Sequence, residues 1–306
     1  TVTLTGASTI VQNAGAITAN NFTANGTALA FNGTNYVSQI DVLNASAGSA
    51  SFMNRSGILI GGHVSATQDV SLTSQIGAIG GAGYVSANAL NLSSARNITL
   101  DNAANAFSSL TLYAMAGDVS LTNHNGFQIA AGGVNADIHS VTFDLGGGAL
   151  TAFDANSKIT AGRLNLTGNG SNATVYGGAT FGLGDITLGT GTLDVTVAGN
   201  QDLALGGDIL ARIVSLSSGG TITQSSGVVT TGTLNLSSHG AIFFDSANNV
   251  AGIGAVDTHG PGDFAFRNAG DLVLTGAVTV NKATLNSNTG SVTGSGLTAN
   301  TLVVDA

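Results

Sequence analysis

The chain has no cysteine, no tryptophan and no glutamate, and a single proline among 306 residues. Without cysteine there are no disulfides and no thiolate-bound zinc, while the compartment stays open. Without glutamate, and with only 7 lysines and arginines, the chain is short of residues that form helices well. The glycine, asparagine, threonine, serine and aspartate that replace them form helices poorly. The cations, Arg55, Arg96, Lys158, Arg163, Arg212, Arg267 and Lys282, are scattered along a chain of net charge -9. They form neither a face that could displace counterions from phosphates nor a polybasic membrane anchor, so nucleic acid and membrane surfaces are excluded as partners. No apolar run approaches the roughly 18 residues that a spanning helix needs, so membrane insertion is excluded too.

What is present is apolar and regular. The hydrophobic share is 43%, with 45 glycines, and that much apolar surface can offset chain entropy in a way that disordered sequences cannot. One hexad recurs five times: Ile17 to Phe22, Val85 to Leu90, Ile159 to Leu164, Val229 to Leu234 and Leu297 to Leu302. Each has a bulky aliphatic, then serine or threonine, then a small residue, with an apolar residue five places on. The copies recur at nearly even intervals, the longest being that from Val85 to Ile159. Between the hexads lie short apolar pieces such as Leu90-Asn91-Leu92, Ile98-Thr99-Leu100 and Val119-Ser120-Leu121. Period-two alternation bounded by glycine, asparagine, serine and aspartate is the signature of short strands.

A sandwich or barrel has no reason to copy one pattern in register, and two-residue hairpin turns are not the rule here. The repeats therefore predict a parallel β-solenoid over residues 1–306, one continuous stack whose inward residues sit on the same residue one coil later. Three coils of about 23 residues in each superunit of about 70 would give about 13 coils. Phe22, Leu90, Leu164, Leu234 and Leu302 are expected at equivalent interior sites, with Leu92 inward and Thr99 outward. Asn35, Asn105 and Asn249 form one recurring set, and Asn54, Asn123 and Asn268 another. Both are expected at corners, where an amide can satisfy backbone groups. Gly117-Asp118, Gly184-Asp185, Gly262-Asp263 and Gly270-Asp271 precede strands, each aspartate being expected to close its own turn. Pro261, within His259-Gly260-Pro261-Gly262, must lie in a loop. The terminal residues, with no Met or signal peptide at Thr1, read as a segment of a longer chain or a processed one.

The residues Val85 to Leu92, Asn105-Ala106-Phe107, Gly117 to Asn123 and Phe127-Gln128-Ile129 resemble filamentous-haemagglutinin-like repeats. These occur in large exoproteins and adhesins of Gram-negative bacteria exported by two-partner secretion. The resemblance covers nearly the whole chain and is weakest around 165–200; autotransporter passengers share much of the composition. It implies a right-handed parallel β-helix in an adhesive shaft at the cell surface or in an extracellular fibre. It also implies passage through an outer-membrane secretion pore before folding, and contact with glycans or proteins of host or neighbouring cells. The family's secretion-recognition domain is not among these residues.

No residue is assigned a catalytic, cofactor-binding or metal-binding role, no cofactor is expected, and the chain is read as a non-enzyme. The strongest contrary reading is a carbohydrate-active β-helix enzyme. It would use Asp137, Asp144 and Asp154 with His139, all within the longest spacing between hexads, where an insertion could carry function. Such chemistry needs paired carboxylates at a defined separation; otherwise these are solvated loop residues. His63, His124, His139, His239 and His259 are isolated, and none sits in a nucleophile elbow. Gly206-Gly207-Asp208 and Gly146-Gly147-Gly148 fall short of a calcium-binding repeat, and Gly80-Gly81-Ala82-Gly83 opens no helix that could hold a phosphate. Sequons such as Asn97-Ile98-Thr99 arise by chance in this composition. A third reading is a fibre subunit that associates end to end through exposed strand edges.

Overall fold

The structure, a computed structural model, describes residues 1–306. Thirty β-strands and no α-helix make up the chain, and every registered pair of strands is parallel. The strands stack as a β-solenoid of about 15 turns. Two compact units form: Thr1–Ala152 with Asn156–Ala161, and Phe153–Ala155 with Gly162–Ala306.

In the first unit Ala50 pairs with Val70, Val70 with Leu90, and Leu90 with Leu110. A turn is thus shorter than the sequence suggests, its length being the interval from Val70 to Leu90. It passes through three strand segments, as in Asp69–Ser74, Ile79–Gly80 and Tyr84–Ser86. The longest turn in this unit runs from Val134 to Ile159, which is where the longest spacing between hexads arises. In the second unit Leu193 stacks under Val214 and Val214 under Leu234. Alternate residues point inward, so Leu90 and Leu92 are buried while Thr99 is exposed. Phenylalanines cluster inside: Phe22, Phe31 and Phe52 in the first unit, Phe244, Phe264 and Phe266 in the second. Edge-on and tilted ring pairs of this kind add stabilisation beyond their buried area.

The shorter turn changes what the repeat means. Val85 stacks through Val64 and Leu43 onto Ala24, which lies seven residues after Ile17. Ile159 stacks through Val134 and Leu112 onto Leu92, seven residues after Val85. In the second unit Leu297 stacks through Val278 and Val256 onto Leu236, seven residues after Val229. A superunit is therefore three turns plus one side, and each of these copies enters the coil one side further round than the copy before it. The expectation of one shared interior ladder is corrected accordingly. Phe22, Leu90, Leu164 and Leu234 are all fully buried, but Phe22 and Leu90 lie in different ladders: Phe22 pairs with Ile40, and Leu90 with Val70. Leu302 is 52% exposed because it belongs to the last strand, Leu297–Asp305, which is paired on one edge to Val278–Ser287.

The corners run on buried asparagine. Asn35 Oδ1 accepts the N–H of Ile17 at 2.8 Å, Asn105 Oδ1 that of Val85 at 2.8 Å, and Asn248 Oδ1 that of Val229 at 2.8 Å. Ile17, Val85 and Val229 open three of the hexads, so the two recurrences in the sequence are the two ends of one hydrogen bond spanning adjacent coils. Asn248, not Asn249, fills this place in the fourth repeat: Asn248 is 0% exposed, and Asn249 faces outward. Asn54 and Asn268 do the same for Val37 and Val250. Further along the first of these ladders Ser74 and Ser94 follow Asn54, their hydroxyls donating to corner carbonyls. A buried backbone group without a partner costs about 1–3 kcal/mol, so these side chains are what make tight corners tolerable. Gly81, at φ +132, passes where a side chain would strike the Ile60 backbone, and only glycine tolerates both conditions.

Candidate functional site

The aspartates of the Gly-Asp pairs act between coils rather than on their own turns. Asp118 accepts the N–H of Ser140 at 2.9 Å, Asp185 that of Asp208 at 3.0 Å, and Asp271 that of Ser291 at 2.8 Å. Asp263 takes the Asn281 amide at 2.8 Å. Asp118, Asp185 and Asp271 reach the corresponding corner one turn on, because that N–H points back along the stack to the preceding coil. Asp202 and Asp208 serve Thr221 and Val228 in the same way. At Asp202 and Asp271 such bonds favour the ionised form. The N–H of Thr221, then its side chain, holds the Asp202 carboxyl below its ordinary value of 3.8, and Ser291 does likewise for Asp271. In Gly206-Gly207-Asp208 the aspartate is thus a clasp between coils, and no trio of histidine and carboxylate groups gathers at metal-binding range.

The acids weighed for hydrolysis are parted by their partners. Asp144 lies 3.5 Å from His124, and its Oδ1 accepts the N–H of Gly146. His139 lies 4.0 Å from Asp118. Asp137 sits in the left-handed region at φ 52 and donates its N–H to Asn135 Oδ1, which makes it a turn residue. Asp154 belongs to the short segment that groups with the second unit. Three histidines lie in two stacks, His63 on Tyr84 at 5.7 Å and His239 on His259 at 4.8 Å. Gly260-Pro261 lies outside every strand, as expected.

The surface depressions follow the coils. One, of 550 Å³ in the first unit, is bordered by Ser86, Ala106, Ser108, Gly126, Gln128 and Thr151 and carries no charge. A smaller pair occupies equivalent places in the two units. In the first, 220 Å³ is lined by Ser71, Asn91, Ser93 and Tyr113 among others. In the second, 270 Å³ is lined by Ser215, Asn235, Ser237 and Asp257, which follow their counterparts at one constant interval of two superunits. The floor of the second consists of half-buried side chains on consecutive coils, Ser215 pairing with Asn235 and Ser217 with Ser237. Asn235 donates to Ser215 Oγ at 3.3 Å and accepts the N–H of Ala255 at 3.1 Å. That N–H is free for it because the register slips between Leu234 and Leu236. At one end stands Asp194, exposed. At the other, Asp257 Oδ1 accepts the N–H of His259 at 2.8 Å, and Oδ2 lies 3.6 Å from His259 Nε2. His259 is held at φ 48 with Nδ1 3.3 Å from the Ser238 carbonyl. A carbonyl only accepts, so Nδ1 carries a proton. Its ring lies nearly parallel to that of His239, at 10°. His239 and His259, isolated in the sequence, are placed on adjacent coils by the shorter turn.

Comparison with protein-family models, with curated proteins and with solved structures finds no match to this chain.

Proposed function

We propose that this chain is part of an adhesive shaft, a non-catalytic solenoid of a secreted or cell-surface bacterial exoprotein that passes through an outer-membrane pore and folds outside. The observation that carries the reading is the division of labour in each coil. Inward residues and corner amides are committed to stacking, while serine, threonine and asparagine face outward on coil after coil, as in Ser51, Ser71, Asn91 and Thr111. A stack of this kind presents a repeated polar surface, the geometry from which weak contacts sum to strong attachment. Three histidines stand beside single aspartates, in separate pairs, and other aspartates such as Asp185 clasp adjacent coils. The resemblance to filamentous-haemagglutinin-like repeats supports the same reading. Absence of cysteine suits passage in an unfolded state.

The test is retention of beads coated with the purified chain on bacterial and epithelial cell layers under flow. Retention well above that of albumin-coated beads, with no sugar released from a panel of polysaccharides, is the expected result. Retention equal to albumin, or release of reducing sugar, would overturn the reading.

A further inference from the structure

We propose that the depression between Asp194 and His259 binds a linear polysaccharide whose sugars carry free amino groups. The inference rests on the adhesive reading and gives it a ligand class and a place. Three features of the site point this way.

The first is spacing. The floor is built from consecutive coils, Asp194 stacking on Ser215 and Ser215 on Asn235. Neighbouring strands lie about 4.8 Å apart, a distance close to the advance of one pyranose ring in an extended chain. A glycan lying along the stack meets a new pair of polar side chains at each sugar. The pairs are a hydroxyl with a hydroxyl at Ser215 and Ser217, then an amide with a hydroxyl at Asn235 and Ser237. Both kinds donate and accept, as sugar hydroxyls do.

The second is charge. Both ends of the depression carry a carboxylate, the Asp257 side chain being 49% exposed, and no lysine or arginine lines it. Anionic sugars are repelled. An ammonium group at either end gains a charge-assisted hydrogen bond. The equivalent depression in the first unit shows that the acids are not needed for the fold. There Ser51 stacks on Ser71 where Asp194 stacks on Ser215, and Tyr113 stands where Asp257 stands. The scaffold is kept and the charge is added.

The third is the end wall. His259 is locked by Asp257, by the Ser238 carbonyl and by the ring of His239. A ring fixed in this way offers a flat surface beside the last carboxylate without an ordering cost on binding.

Isothermal titration of the whole chain tests this with three probes: a β-1,4-linked glucosamine hexamer, its fully N-acetylated counterpart, and hexalysine. The glucosamine hexamer is expected to bind at least tenfold more tightly than either of the others. A variant carrying Asp194→Asn and Asp257→Asn is expected to lose at least tenfold in affinity. Asparagine keeps the oxygen that accepts the His259 N–H, and circular dichroism of the variant verifies the fold. Unchanged affinity in the variant, equal binding of hexalysine, or no binding of the glucosamine hexamer each overturns the proposal. If the hexamer does not bind while coated beads adhere to cells, this site falls and the adhesive reading stands. If the beads fail as well, both fall.

Discussion

Leu92→Asp is expected to unfold its part of the first unit, at a cost of about 4 kcal/mol or more. Leu92 is 3% exposed and sits in a ladder between Leu72 and Leu112. A carboxylate there has apolar neighbours on both sides along the stack, and burying an unpaired charge is among the few changes that cost this much. Thr99→Asp provides the contrast. Thr99 is exposed, between Gly80 and Ser120 on the outer surface, so the same new charge stays in water and should shift stability by no more than about 0.5 kcal/mol. Urea unfolding followed by far-ultraviolet circular dichroism reads both. Equal losses in the two variants would contradict the inward and outward assignment.

The second large effect is expected one residue away from a harmless one. Asn248→Leu removes a fully buried amide that accepts the N–H of Val229, exchanges two hydrogen bonds with the Gln224 amide, and donates to the carbonyls of Ser246 and Arg267. Leucine leaves the Val229 N–H and the buried Gln224 side chain without these partners. At about 1–3 kcal/mol for each stranded group, the loss should reach about 3–5 kcal/mol. Asn249→Leu, on the exposed neighbour, should cost less than about 0.5 kcal/mol. The pair separates an internal corner amide from mere asparagine content. If Asn249 proves the costly one, the corner is misassigned.

The parallel solenoid was legible because period-two alternation and the long-period recurrence of the hexad survive in the sequence. The length of the turn was not. The interval between hexads is compatible with three long turns or with three short turns and a further side, and composition does not choose between them. The consequences ran through several residues. With the longer turn, Asn105 and Val85 are unrelated; with the shorter one, Asn105 bonds Val85 from the next coil. The corner at 248–249 was missed because adjacent asparagines differ only in which faces inward, and one residue of slip reverses that. The aspartate clasps were read as local turns because aspartate usually bonds its own backbone; the neighbouring coil that they serve is invisible to a local reading. The acidic residues of the depression went unnoticed for the same reason, since Asp194 and Asp257 are far apart in the chain and meet only through the stacking of Ser215 and Asn235.

The advance of one side per superunit also bears on the outer surface. In the first unit Val85 and Ile159 open their copies on successive sides of the coil. Outward residues of these two hexads therefore do not line a single stripe.

The most direct test of the account is a set of distances on one outward ladder of the first unit, Ser51, Ser71, Asn91 and Thr111. Each variant pairs Ser51→Cys with Ser71→Cys, Asn91→Cys or Thr111→Cys and carries a nitroxide at both positions; electron paramagnetic resonance reads the separation. A parallel stack in which these four residues lie on successive coils predicts separations that grow by about 4.8 Å at each step, from one coil to three. Separations that do not increase in this order would contradict the short stacked turn on which the corner bonds, the clasps and the proposed glycan site all depend.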